Sequence, residues 1–203
     1  MKNTFFRQER RTNHVAFVFP GYGYQCYGPV IYYPSLALLS LGADVLWVEY
    51  AYDKEPDYEQ MQPSGRRAWR LSDSRAAVDK ALERGSYSRF TLVGKSIGTA
   101  VIGDLLSNGP ELDRAAAVYV TPLLRNERLR TQLKRLNNLS LFVSGTVDSE
   151  YDAEFAAELQ GKPTVRFLQL EGADHSLEIR GNALLSLEIL KQLTVQTLAF
   201  LKE

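Results

Sequence analysis

The segment Gly94-Lys95-Ser96-Ile97-Gly98 is where the chain offers most chemistry. It sets one serine between two glycines, directly after an apolar run at 90–93 and directly before a helical pattern over 96–107. A strand that turns sharply into a helix strains the residue at the corner. Glycines two before and two after it let neighbouring backbone pass without side-chain clashes. The Ser96 hydroxyl then stands above a sheet, at a helix N-terminus whose free N–H groups and partial positive charge favour an oxyanion. That is the setting of a nucleophile attacking a carbonyl. The alternative is a serine N-cap, because the five-residue pattern also arises by chance; the strand before it and the helix after it favour the nucleophile.

A serine nucleophile needs a base, and the base needs an orienting acid. The chain has two histidines. His14 opens the first strand, far from where catalytic loops gather, and reads as structural. His175 sits in Glu171-Gly172-Ala173-Asp174-His175-Ser176-Leu177, just after the last apolar strand. Functional loops of parallel α/β sheets collect at the carboxyl ends of strands, which suits His175 and Ser96 alike. The acid should come from another strand end. Asp148 follows the strand at 139–143 by a short turn and is the first choice, with Glu150 and Asp152 as backups. Asp148 could instead cap the helix that follows. Asp174 is a poor partner, because adjacent side chains of an extended loop diverge. The order Ser96, Asp148, His175 is the one expected where a serine elbow tops an α/β sheet, and it differs from other serine hydrolase folds.

These residues need elements to position them. Apolar runs at 14–19, 44–48, 90–93, 115–120, 139–143 and 164–170 read as strands, the first a fully buried one. Helical patterns lie between them at 30–41, 65–84, 96–107 and 152–159, with one helix inside the basic stretch 121–138 and a long one at 183–201. Residues 50–63 are polar and read as irregular. The alternation predicts a single α/β domain over residues 1–203, with about six mainly parallel strands and helices on both faces.

Bulk composition narrows the class. The 203 residues include 24 Lys and Arg against 24 Asp and Glu, so no long-range field draws the chain to nucleic acid or an anionic membrane. One cysteine, Cys26, excludes an internal disulfide, and two histidines supply no zinc cluster, so neither metal nor cofactor is expected. Cys26 reads as an inert buried thiol. The N-terminus lacks the apolar core of a secretory signal, and no apolar run approaches the roughly 20 residues that span a bilayer. The expected location is the cytoplasm; the oligomeric state is open.

On the residues GKSIG, the strand-Gly145-x-x-Asp148 turn and GADHSLE, the chain resembles the α/β-hydrolase superfamily from Val15 to Leu201. The GADHSL segment also looks like its small dienelactone-hydrolase-like branch. The resemblance implies a backbone oxyanion hole with two donors, Ile97 after the nucleophile and Tyr22 in the loop after the first core strand. That loop reads Pro20-Gly21-Tyr22-Gly23 where the family usually has a His-Gly pair, so the chain departs from the family at the second donor. It also implies an acyl-enzyme mechanism on a small-molecule acyl substrate. The short 121–138 segment predicts at most a minimal lid, and its Arg125, Arg128, Arg130, Lys134 and Arg135 read as a solvated face ahead of an acid-attracting one. The main expectation is ester hydrolysis. Thioester or C–C bond hydrolysis by the same residues is a second reading, and a non-catalytic interaction module a third. Lys95 would either tune the field at Ser96 or point away.

Overall fold

The computed structural model describes residues 2–203. In chain order the elements are β1 (Lys2–Phe6), β2 (His14–Phe19), α1 (Pro29–Ser40), β3 (Asp44–Glu49), α2 (Pro56–Gln60), α3 (Pro63–Leu82), β4 (Arg89–Lys95), α4 (Ile97–Asn108), β5 (Ala116–Val120), α5 (Glu127–Arg135), β6 (Ser140–Gly145), α6 (Ala153–Gln160), β7 (Val165–Leu170) and α7 (Ala183–Leu201). The strands form one sheet in the order β1-β3-β2-β4-β5-β6-β7. Strands β2 to β7 run parallel, and β1 lies antiparallel on β3 from Lys2↔Glu49 to Phe6↔Val45.

The α/β class and the parallel sheet follow the expectation, but among the described residues there are seven strands, not six. The additional one, β1, has the sequence KNTFF. It is an edge strand held by backbone bonds to one neighbour, so it needs neither an apolar run nor alternation. Residues 50–63 are also more ordered than expected. They hold a 3₁₀ turn, Tyr52–Lys54, and α2.

Strand parity divides the core in two. Val15, Phe17 and Phe19 of β2 join Leu46, Leu92, Tyr119 and Phe142 under α3, α4, α5 and α6. The alternate residues Ala16 and Val18 join Trp47, Val93, Val118 and Val143 under α1 and α7. Both faces are covered, which is why the central strands read as continuous apolar runs. Helix α7 is the one helix among the described residues long and apolar enough to span a bilayer by length and composition, a correction to the expectation that no such run exists. In this fold its Ile189, Leu193, Phe200 and Leu201 cover the sheet beside α1.

Parallel pairing puts the carboxyl ends of β4, β6 and β7 at one edge of the sheet. His14 starts β2 at the opposite edge. It is buried, and its Nε2 lies 2.9 Å from Thr91 Oγ1. Burial, with the Arg89 charge, pushes its imidazole down to about 4. A group with an ordinary value near 6.5 when unfolded then binds its proton more readily in the unfolded chain. Stability is therefore lost as pH falls from about 6.5 toward about 4, by up to ~1.4 kcal/mol per pH unit from this group. His14→Gln keeps a polar group for Thr91 but does not titrate. Urea melts over this window should show a shallower pH slope for the variant than for the wild type, and equal slopes would contradict this account.

Candidate active site

Helix α4 begins immediately after Ser96, the residue that ends the β4 turn. Ser96 has φ 52° and ψ −116°, a conformation that side chains strain against. The two glycines of the motif are dictated by contact. A Cβ on Gly98 would stand 2.1 Å from the Phe19 carbonyl oxygen at the end of β2, and one on Gly94 would stand 2.6 Å from the Gly98 oxygen. The Ser96 side chain does not cap α4, which answers the capping alternative. Its Oγ lies 3.0 Å from His175 Nε2.

The loop after β7 delivers His175, and the loop after β6 delivers Asp148. His175 Nδ1 lies 2.9 Å from each Asp148 carboxylate oxygen. The Asp148 side chain is fully buried, whereas the His175 ring is 36 % exposed. A buried carboxylate only accepts, so the proton between them sits on Nδ1 and the Nε2 lone pair faces the serine. The Glu150 N–H also donates to Asp148 Oδ1, over 2.8 Å. Residues expected from three separate strand ends thus form one hydrogen-bonded chain.

The backups have other tasks. Glu150 contributes its backbone to Asp148. Asp152 caps α6 through the Phe155 N–H and pairs with Arg130 at 2.7 Å. Asp174 accepts from the Ser176 and Glu178 N–H groups and so shapes the histidine loop.

Lys95 is the residue whose direction the sequence left open. It is buried, and its Nζ donates to the His175 carbonyl oxygen over 3.0 Å and to Thr121 Oγ1 over 3.2 Å. The Tyr24 ring centroid lies 5.0 Å from the same nitrogen. Burial pushes its ammonium group down to about 8, against the opposing pull of Asp148 and Asp174. Three non-glycine residues among those described have positive φ: Ser96, Thr121 and Leu177. All three belong to this cluster or its loops, as strain at a built site would have it.

Of the two backbone donors, Ile97 is the first residue of α4, where an N–H has no partner within the helix. Tyr22 lies in the turn closed by the Tyr24 N–H on the Gly21 oxygen, and a Cβ on Gly21 would be 3.4 Å from the Ser96 Cβ. The turn therefore abuts the serine. The Tyr22 side chain extends away, 47 % exposed, to donate to Glu59. Cys26 is buried, and burial pushes its thiol well above the usual range.

The basic stretch is a brace. Leu129 and Leu133 of α5 enter the core. Arg128 pairs with Asp104 of α4, and Arg130 and Lys134 pair with Asp152 and Glu158 beside and on α6. Most of its cations are thus spoken for by neighbouring carboxylates, and no lid forms over Ser96 from this segment.

Residues 21–202 match the family model of the alpha/beta hydrolase domain. The fold is similar to a putative alpha/beta hydrolase from Agrobacterium tumefaciens, at TM-score 0.74 and 15% identity over 98% of this chain and 89% of that one. It is similar to an alpha-beta serine hydrolase homologue from Coxiella burnetii, at TM-score 0.71 and 15% identity over 96% and 90%. An esterase domain from a Rhodothermus marinus protein aligns at TM-score 0.65 and 15% identity over 98% of both chains. No curated protein matches the chain in sequence.

Strain at the elbow has a measurable consequence. Ser96→Gly and Ser96→Ala both remove the hydroxyl, but only glycine adopts this backbone freely. The glycine variant should be the more stable of the two by about 1 kcal/mol in urea denaturation. The reverse order would mean that the corner is unstrained.

Proposed function

The chain belongs to the α/β-hydrolase family, and from that premise we propose that it is a serine hydrolase acting on carboxylic esters or related acyl substrates. The observation that carries the reading is the unbroken hydrogen-bonded chain from Asp148 through His175 to Ser96, ending on a strained elbow. His175 Nε2 takes the Ser96 proton as Oγ attacks the substrate carbonyl. Asp148 holds the ring in the required tautomer and stabilises the imidazolium that forms. The Ile97 and Tyr22 N–H groups receive the oxyanion, helped by the N-terminal end of α4. His175 returns the proton to the leaving group, then activates water to release the acyl group.

Ester hydrolysis is preferred over thioester or C–C cleavage because the aligned Rhodothermus marinus protein is an esterase domain. Within the family, the GADHSLE segment supports a place in the small dienelactone-hydrolase-like branch. The half-open His175 ring supports a substrate that approaches without a lid.

A fluorophosphonate probe should label the wild type and fail on Ser96→Ala. The same variant should lose roughly 10³-fold or more in p-nitrophenyl ester turnover. Asp148→Asn should lose on the order of 10⁴-fold in kcat while staying folded, because the amide imposes the wrong tautomer. Turnover of Ser96→Ala within a few-fold of wild type would remove Ser96 from the mechanism. A folded wild type that neither labels nor turns over would favour an interaction module. A panel of p-nitrophenyl esters and acyl-CoA thioesters separates the two enzyme readings.

A further inference from the structure

We propose that Lys95 is a positioning residue whose buried ammonium group holds the His175 loop over Ser96 by bonding the His175 carbonyl oxygen. The inference rests on the Ser96–His175–Asp148 reading above.

Strand parity explains why Lys95 can do this while adjoining the nucleophile. Val93 and Lys95 project from the same face of β4, and Val93 lies in the core under α1 and α7. Lys95 continues that line as the last residue of β4, paired with Val120 of β5 beneath the loops. From there Nζ reaches Thr121 after β5, the His175 backbone after β7 and the Tyr24 ring after β2. An ammonium group has three donors and no acceptor. Two are spent on oxygens, and an aromatic face receives the remaining side of the charge.

A buried cation is costly where an apolar side chain of similar length would fill the same space. Its retention here is matched to what it touches. Both oxygens it bonds belong to strained or functional segments: Thr121 has φ 42°, and the His175 loop carries Leu177 at φ 58°. Such conformations persist only where surrounding contacts over-determine them. Fixing the His175 carbonyl fixes the backbone from which the imidazole projects, and Asp148 fixes the ring from the other end. With two anchors the Nε2 lone pair is held at its 3.0 Å distance from Oγ.

The groups that face the ammonium are Asp148 from the loop after β6, Asp174 and His175 from the loop after β7, and Tyr24 from the loop after β2, with Glu178 acting on Tyr24. Because burial brings the lysine down to about 8, its charge is lost as pH rises through that value. The strut is then a neutral amine with weaker donors, and activity should fall on that limb.

The test is steady-state hydrolysis of p-nitrophenyl acetate by Lys95→Met, together with the proton NMR signal of the His175 Nδ1–H in the folded protein. Expected is a fall in kcat of roughly 10²-fold with KM within about threefold, the size of effect that a misplacement on the order of 1 Å produces. The wild-type basic limb near pH 8 should vanish in the variant, and its ring-proton signal should broaden or disappear. Lys95→Arg, which keeps charge and donors, should recover part of kcat. Wild-type kcat and an unchanged ring-proton signal in Lys95→Met would overturn the proposal. If Lys95→Met does not fold, the wild-type ring proton followed across the lysine titration decides: broadening supports the strut, and an unchanged line overturns it. Ring-proton loss in Lys95→Met, in a protein whose wild type never cleaves esters, would leave the strut standing while the hydrolase reading fails.

Discussion

At Ser96 the chain leaves the middle of a seven-stranded sheet and starts a helix, with that one residue between strand and helix. The backbone manages this only at a positive φ, and only if α4 is pressed so tightly on the end of β2 that position 98 has no room for a Cβ. That close approach determines the rest. It seats α4 on one face of the sheet, leaves the first N–H of α4 beside the serine, and sets Oγ at a height that a histidine loop from β7 can reach. The remaining strand ends are then brought to the same edge by parallel pairing alone.

Buried charge is placed on both faces of this sheet, with different consequences. On the α3–α6 side, Asp104 is buried and takes donors from Arg67, Arg128 and Gln132. These donors hold its carboxyl below the usual range even though burial itself pushes it up. The same bonds tie α3, α4 and α5 together. A stretch of cations that would otherwise be free to attract an acidic molecule becomes internal bracing. Elsewhere, Lys95 and Asp148 both bond His175, one at its backbone carbonyl oxygen and the other at its ring.

Strain and exposure describe the kind of site this is. The non-glycine residues with positive φ among those described sit at the elbow, at the lysine's hydroxyl partner and in the histidine loop. Meanwhile α5, the only candidate for a cover in the 121–138 segment, is packed into the core by Leu129 and Leu133. The site is therefore built by over-determined loops, and the 121–138 segment is used for packing. Rigidity has to come from hydrogen bonds such as those Asp174 accepts within its own loop.

Much of this was legible in the residues themselves. Glycine spacing around Ser96 encodes the elbow, because only Gly94 and Gly98 fit the close passages that the turn requires. Continuous apolar runs encode a sheet covered on both faces. The positions of Asp148 and His175 just past strand ends encode their convergence, because parallel strands share a carboxyl edge. The antiparallel β1 was not legible, since an edge strand is specified by its neighbour's backbone and not by its own pattern. Nor was the direction of Lys95 or the pairing of Arg128, Arg130 and Lys134. Each of these depends on distances between segments tens of residues apart. Local chemistry writes the turn and the strand into the chain, whereas the partner of a charge is decided only when the sheet assembles and brings it within about 3 Å of an oxygen.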